Sequence, residues 1–292
     1  MSTAARVAAQ AKINLGLRVL AREAGGYHQL ETVFARLTLA DILEVRITDG
    51  ERKLDVTGGD TGPLAKNLAL RAALGFINAT GWPPGFSISL QKNIPIGAGL
   101  GGGSADAGAV LRALNALAPH PVGESELLRI AAPLGADVPF LTSSAALALA
   151  WGRGERLLRL PPLPSRHVAL VQPGFTVSTA DAYAWLDAAR DATPVSPHLV
   201  GAEQFASWES LAPFTDNDFE PVVAKRHAGL AGVVESLRSA GASIARMTGS
   251  GSTVYGVFAL PPDAKALGAR VPGTVIVTST AQTVADVERI RA

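Results

Sequence analysis

Pro95-Ile-Gly-Ala-Gly-Leu-Gly-Gly-Gly-Ser104 constrains this chain more than any other stretch, because it runs straight into a helical pattern over residues 105–117. Five of the seven residues from Gly97 to Gly103 are glycine. In ordered structure each glycine costs backbone entropy on the order of 1 kcal/mol relative to alanine, so five together need a reason. A loop without Cβ atoms lets several backbone N–H groups converge on an anion and lets the anion come close. Downstream, Val110, Leu111, Leu114 and Leu117 keep helical spacing, which sets the loop at a helix N-terminus with unpaired donors and about half a positive charge. We read this stretch as a phosphate cradle. A flexible linker would not be wedged between a strand and an amphipathic helix. Gly97-Ala-Gly-Leu-Gly-Gly102 matches the dinucleotide pattern, but Lys92-Asn93-Ile94-Pro95 intervenes after the strand, and the next segment looks helical where a second strand is needed. No Lys-Ser or Lys-Thr follows the glycines, so a Walker A loop fails too.

Upstream, residues 11–19 alternate, with Ile13, Leu15, Leu17 and Val19 on one face and Lys12, Asn14 and Gly16 on the other. The plain expectation is a half-buried strand with a solvent face. Arg greatly outnumbers Lys in this chain, which makes Lys12 notable, since a compact ammonium suits a phosphate or an alcohol losing its proton. Gly25-Gly26-Tyr27-His28 reads as a hairpin turn, or as a platform that stacks on a planar base and hydrogen-bonds its edge. Residues 33–39 and 42–47 read as strands, with a hairpin through Asp49-Gly50 into 53–57. Asn67 caps a helix over 68–77, and 86–90 is the strand that delivers the chain to the loop. A helix over 124–134 is capped by Glu124 or Ser125 and closed by Gly135. Asp137 either caps a helix with Pro139 in its first turn, or is a carboxylate base facing the loop.

Pro161, Pro162 and Pro164 mark a domain boundary, dividing the chain into 1–160 and 161–292. The second part reads as a strand at 168–172, a helix at 179–189 and a helical stretch at 219–240 interrupted by Gly229 and Gly232. Strands at 243–247 and 253–258 flank the Gly249–Ser252 turn, which spacing alone makes a hairpin. A helix at 263–267 and a strand at 274–278 complete a split βαβ sandwich. With 292 residues, 48% of them apolar, 17% charged and a net charge of +1, the composition is that of a compact soluble protein able to bury its cores. No basic stripe points to nucleic acid. No apolar run reaches the ~18 residues of a membrane span, and Arg6, Gln10 and Lys12 fall where a signal peptide needs an apolar core. Zero cysteines exclude disulfides, thiolate nucleophiles and Cys-zinc sites and fit a cytoplasmic protein. The histidines, at 28, 120, 167, 198 and 227, show no paired ligand spacing, so no protein-built metal site is expected.

Four stretches join the loop in a more specific pattern: Ala11-Lys-Ile-Asn14, Gly26-Tyr-His28, Gly135-Ala-Asp-Val-Pro139 and Arg246-Met-Thr-Gly-Ser-Gly-Ser252. In this order, over most of the chain, they resemble the GHMP kinase superfamily (galactokinase, homoserine, mevalonate and phosphomevalonate kinases). Within it, the match is closest to the 4-diphosphocytidyl-2-C-methyl-D-erythritol kinases of non-mevalonate isoprenoid biosynthesis. The resemblance implies a two-domain α+β GHMP kinase fold: an N-terminal domain like ribosomal protein S5 domain 2, a ferredoxin-like C-terminal domain, and a site in the cleft between them. It implies ATP as phosphoryl donor, Mg²⁺ carried by the nucleotide, and small molecules as the partners, with monomer and weak dimer both open. Asp137 would accept the proton of the substrate's 2-hydroxyl with Lys12 beside it. Pro95, Ile96, Gly97, Ala98, Gly99, Leu100, Gly101, Gly102, Gly103, Ser104 and Ala105 would hold ATP, with Asn67 and Lys92 bordering the nucleotide. Tyr27 would stack on the cytosine, His28 would bond its edge, and Asn14 would contact the substrate. The family's loop most often ends Gly-Gly-Gly-Ser-Ser-Asn, whereas this chain has Ala105 and Asp106. One hydroxyl is therefore missing, and the Asp106 carboxylate is expected to point away from the triphosphate. The Tyr27-His28 pair speaks against a homoserine or mevalonate substrate, and Lys12 with Asp137 against a non-catalytic nucleotide binder.

Overall fold

Two long strands organise the first part of the chain: β1 (Ala4–Arg22) and β2 (His28–Thr48) pair antiparallel along most of their lengths. They belong to a computed structural model that describes residues 3–190 and 201–290. His198 and Met1 lie outside the described residues. The two strands expected at 33–39 and 42–47 are one strand with an irregularity inside it. Gln10 faces Ala40 while Lys12 faces Arg36, so β2 bulges where the alternation breaks. A second shift falls between Asn14 and Gly16.

β3 (Arg52–Thr57), α1 (Leu68–Thr80) and β4 (Gly85–Gln91) follow, and here the expected hairpin is overturned. β3 does not pair with β2. Instead β4 inserts between them, antiparallel to β2 and parallel to β3. Gly85 permits it: a Cβ there would lie 2.4 Å from the Glu51 carbonyl and 2.5 Å from Thr48 Oγ1. α2 (Gly102–Leu117) packs between α1 and the long strands, with α3 (Glu124–Ala131) and the short α4 (Val138–Thr142) beside it. Gly123, not Glu124 or Ser125, occupies the N-cap of α3, and the helix tightens to a 3₁₀ turn at Pro133 before Gly135. The Glu124 carboxylate accepts instead from Ser144. β5 (Leu147–Gly152) pairs with β2, and β6 (Arg156–Leu160) pairs with β5. Ile13, Leu15, Phe34, Phe76, Ile88 and Leu111 lie in the core of this part.

The second part is β7 (His167–Gln172), α5 (Thr179–Ala189), α6 (Trp208–Leu211), α7 (Glu220–Ala224), α8 (Gly229–Ser239), β8 (Ile244–Met247), β9 (Val254–Phe258), α9 (Ala264–Gly268) and β10 (Thr274–Ser279). Its sheet runs β10-β7-β9-β8 with every pair antiparallel, the ferredoxin-like order. Gly229 and Gly232 do not interrupt a helix, as expected, but lie inside α8; the break falls at 225–228. Both glycines are exposed, while Leu230, Val233, Val234 and Leu237 bury the other side of α8 and hold it. β11 (Val287–Ile290) then returns to pair with Ala4–Val7, so the first sheet includes a strand from beyond the proline-rich stretch.

β1 serves both cores. Ile13 and Leu15 pack in the first, whereas Leu17 and Val19 pack in the second with Ala169, Val171 and Phe219. At the changeover Gly16 lets the chain come so close that a Cβ would sit 2.6 Å from the Phe214 carbonyl. Among the described residues, no helix is long and apolar enough to cross a membrane.

Candidate active site

The glycine loop owes its composition to geometry. Gly97, Gly99 and Gly101 adopt φ of 72°, 76° and 71°, a left-handed region that side chains rarely enter. A Cβ on Gly99 would lie 2.9 Å from the Thr248 carbonyl, and one on Gly101 3.0 Å from Lys12 Cε. The loop from Pro95 to Ser104 lines a cavity of about 320 Å³ together with Asn67 and Lys92. Ala105 stands apart: it is buried, and its N–H donates to the Gly101 carbonyl at 2.8 Å. Asn67 caps α1, accepting from the Ala69 N–H at 2.9 Å and donating to Thr61. Asp106 is turned inward, its Oδ2 accepting from Lys92 Nζ at 2.6 Å.

Lys12 and Asn14 face no solvent; each is 3% exposed. Lys12 Nζ donates to Asn14 Oδ1 at 2.7 Å and to the Gly99 carbonyl at 3.1 Å, and lies 3.2 Å from Asp137 Oδ2. Asp137 occupies the N-cap position of α4 yet makes no side-chain capping bond, which removes the capping reading. Its side chain keeps 28% of its surface exposed, in a cavity of about 250 Å³ that Lys12, Asn14, Ser104 and Gly249 also line. Behind α4, the buried Arg36 donates to the carbonyls of Phe140, Ser143 and Ala145. Burial pushes its guanidinium down to about 9, and no sequence signal marked this residue.

Tyr27 lies in the β1–β2 hairpin connection and His28 opens β2 opposite Arg22, so the turn reading and the platform reading are compatible. Tyr27 is 60% exposed, with the Arg153 guanidinium 4.1 Å from its ring centroid. His28 stacks on Tyr183 at 4.6 Å, and its Nε2 lies 2.8 Å from Asp187 Oδ1. Burial, then the charges of Asp137 and Asp187, raise the Tyr183 hydroxyl. Tyr183 and Asp187 are on α5 and were missed, because an aromatic at helical spacing reads as core. These residues line a cavity of about 1100 Å³. It shares Leu30, Ala136, Thr179 and Tyr183 with the central cavity, which in turn shares Gly99, Gly101 and Ser104 with the loop cavity. The three spaces therefore share walls, and Lys12 and Asp137 line the middle one. The Gly249–Ser252 turn is a hairpin, as spacing suggests, and also a wall of the site. Asn14 N–H donates to Thr248 Oγ1 at 2.9 Å, and Asn217, another residue the sequence did not flag, donates to the carbonyls of Met247 and Gly249.

Residues 67–153 match the GHMP kinases N terminal domain family and residues 196–276 the GHMP kinases C terminal family. A protein from Desulfotalea psychrophila named 4-diphosphocytidyl-2-C-methyl-D-erythritol kinase is 41% identical over 264 residues, covering 88% of this chain and 87% of that one. This chain belongs to that family of GHMP kinases. A kinase of the same name from Solibacter usitatus is 42% identical over 87% of this chain and 81% of its own length. The crystal structure of a 4-(cytidine 5'-diphospho)-2C-methyl-D-erythritol kinase superposes with a TM-score of 0.76 at 37% identity, covering 94% of this chain and 99% of that one. The homoserine kinase of Cytophaga hutchinsonii, at 19% identity and a TM-score of 0.69 over 98% of both chains, shares the fold. As a GHMP kinase, the chain has the two-domain α+β architecture that its motifs implied.

Proposed function

We propose that this GHMP kinase transfers the γ-phosphoryl group of ATP to the 2-hydroxyl of 4-diphosphocytidyl-2-C-methyl-D-erythritol, giving the 2-phosphate and ADP in isoprenoid precursor synthesis. The observation that carries the reading is the Lys12–Asp137 pair, 3.2 Å apart, between a glycine-lined cavity and an aromatic one. Triphosphate on the loop meets the N-terminus of α2, whose free N–H groups and dipole favour anions. The nucleobase of the acceptor takes the open face of Tyr27, opposite Arg153. Asp187 engages His28 Nε2 and leaves Nδ1 for the base edge. The acceptor alcohol then lies in the central cavity beside Asn14.

Phosphoryl transfer has a loose transition state, so positioning and charge neutralisation supply most of the rate. Asp137 takes the proton as the alcohol oxygen bonds to the γ-phosphorus and the bond to the β–γ bridging oxygen breaks. Lys12, with the Gly99 carbonyl and Asn14 fixing its direction, offsets negative charge on the attacking oxygen. The Ser104 hydroxyl lines both the central and the loop cavity, an oxygen donor of the kind a hard cation takes, which fits Mg²⁺ carried by the nucleotide, while Asp137 stays with Lys12 as the base. That ion would neutralise phosphate charge. An ADP-release assay over a panel of alcohols tests the proposal. ADP is expected with the cytidyl substrate alone; turnover of homoserine or mevalonate overturns the substrate, and ADP with none of them overturns catalysis.

A further inference from the structure

Beneath the glycine loop lie three charges that the transfer itself does not use. Asp41, on β2, is 0% exposed, Lys92 is 7% exposed and Asp106, on α2, is 2% exposed. The Lys92 ammonium donates to Asp41 Oδ2 and to Asp106 Oδ2. Asp41 Oδ1 accepts the N–H groups of Asn93 at 2.5 Å and Ile94 at 2.7 Å, while Asn93 Nδ2 donates to the Ala40 carbonyl. The three residues just ahead of the loop are thus bound to β2. Asp106 stands just past the loop in α2, and a Cβ on Gly102 would be 3.4 Å from Lys92 Nζ. One ammonium therefore ties the chain on both sides of a ten-residue loop whose glycines offer little stiffness of their own.

We propose that Asp41, Lys92 and Asp106 act as a two-ended clamp on the phosphate loop, making Asp41 and Asp106 positioning residues for nucleotide binding. The clamp rests on the reading of this loop as the triphosphate site. Burying three charges is costly, and an all-apolar contact would hold a fold at least as well. What the charged version adds is direction. A carboxylate that accepts two successive N–H groups fixes the orientation of those peptides as the chain enters the loop.

The balance is unequal, since two carboxylates share one cation and Asp106 Oδ1 is a buried oxygen with no hydrogen-bond partner. Burial pushes the Asp106 carboxyl up to about 7, against the pull of Lys92. Lys92 and Asp41 are the charges that face it. Lys12 of β1 and Asp137 at the N-cap of α4 pair with each other, Arg36 of β2 is turned to carbonyls, Arg112 of α2 donates to the Ala285 carbonyl, and the exposed Lys66 lines the loop cavity. Above about pH 7 the clamp carries a net negative charge under the loop, which opposes a triphosphate.

Binding of a non-hydrolysable Mg·ATP analogue, measured by calorimetry between about pH 6 and pH 8.5, tests the clamp in Asp41→Asn and Asp106→Asn proteins of native circular dichroism. Absence of binding by the wild-type protein overturns the loop reading and the clamp with it. Given wild-type binding, Asp41→Asn is expected to weaken the analogue about tenfold while KM for the alcohol stays within about twofold. Wild-type affinity should fall as pH rises through about 7, and Asp106→Asn should flatten that fall. Unchanged affinity in Asp41→Asn, or a loss shared equally by nucleotide and alcohol, overturns the clamp. If Asp41→Asn does not fold, Asp106→Ala decides alone: near pH 6, where the Asp106 charge is not at issue, the analogue is expected to bind about threefold or more weakly with KM for the alcohol unchanged, because the tie from Lys92 to α2 is cut, and unchanged affinity is the adverse result.

Discussion

Lys12 and Lys92 are both buried, both ion-paired and both next to the glycine loop, yet their anions live in different places. Lys12 divides its donors among Asn14, the Gly99 carbonyl and Asp137, whose side chain is 28% exposed. Lys92 meets Asp41 and Asp106, whose side chains are 0% and 3% exposed. A carboxylate that takes a proton from an incoming alcohol has to be reachable, whereas one that holds a loop in shape has to be sealed. The same pair of functional groups thus suits chemistry at one site and architecture at the other, and the exposure of the anion's side chain separates them.

The contrast breaks most sharply at Asp137. Asp137→Asn is expected to lower kcat by roughly 10²–10⁴-fold with KM for ATP near the wild-type value; if ADP release is unchanged, the two pairs differ in nothing that matters. Lys12→Ala comes next, with turnover down by on the order of 10²-fold and a cooperative melt retained. A protein that no longer melts cooperatively would place Lys12 with Lys92 as an architectural cation. Tyr27→Ala sharpens the comparison from the substrate side, raising KM for the cytidyl substrate roughly tenfold, since stacking is worth about 1–3 kcal/mol per base. A KM that does not move removes the stacking role.

The smallest effect is on stability and belongs to the sealed pair. The Asp106 carboxyl, ordinarily near 3.8, is raised to about 7 by burial. Its contribution to stability is therefore complete below its unfolded value and is lost as pH rises through about 7. Asp106→Asn should melt a few degrees above wild type at about pH 8 and close to it near pH 4, with roughly 2–4 °C per kcal/mol in a chain of this size. A melting difference that is flat with pH would contradict the raised value.

Features carried by local pattern were legible in the sequence. The glycine run announced a helix N-terminus, and alternation put Lys12 and Asn14 on one face, although that face meets Thr32, Thr248 and the loop rather than water. What stayed hidden depends on contacts made across the chain. Asp137 before Val138-Pro139 looks the same whether it caps a helix or faces a cavity; only Lys12, 125 positions earlier, distinguishes them. β3 was misplaced because parallel pairing with β4 leaves no turn signature, unlike a hairpin. Asn217 and Arg36 act through carbonyls of distant segments, so nothing in their neighbours' identity flagged them.

β1 runs through both hydrophobic cores, and that has a practical consequence for anyone cutting the gene. A fragment ending near residue 160 would carry Leu17 and Val19 stripped of Ala169, Val171 and Phe219, and would also lose β11 from the edge of its sheet. Such a fragment should precipitate unless co-expressed with the remainder. The two halves are thus better regarded as mutual chaperones than as separable modules.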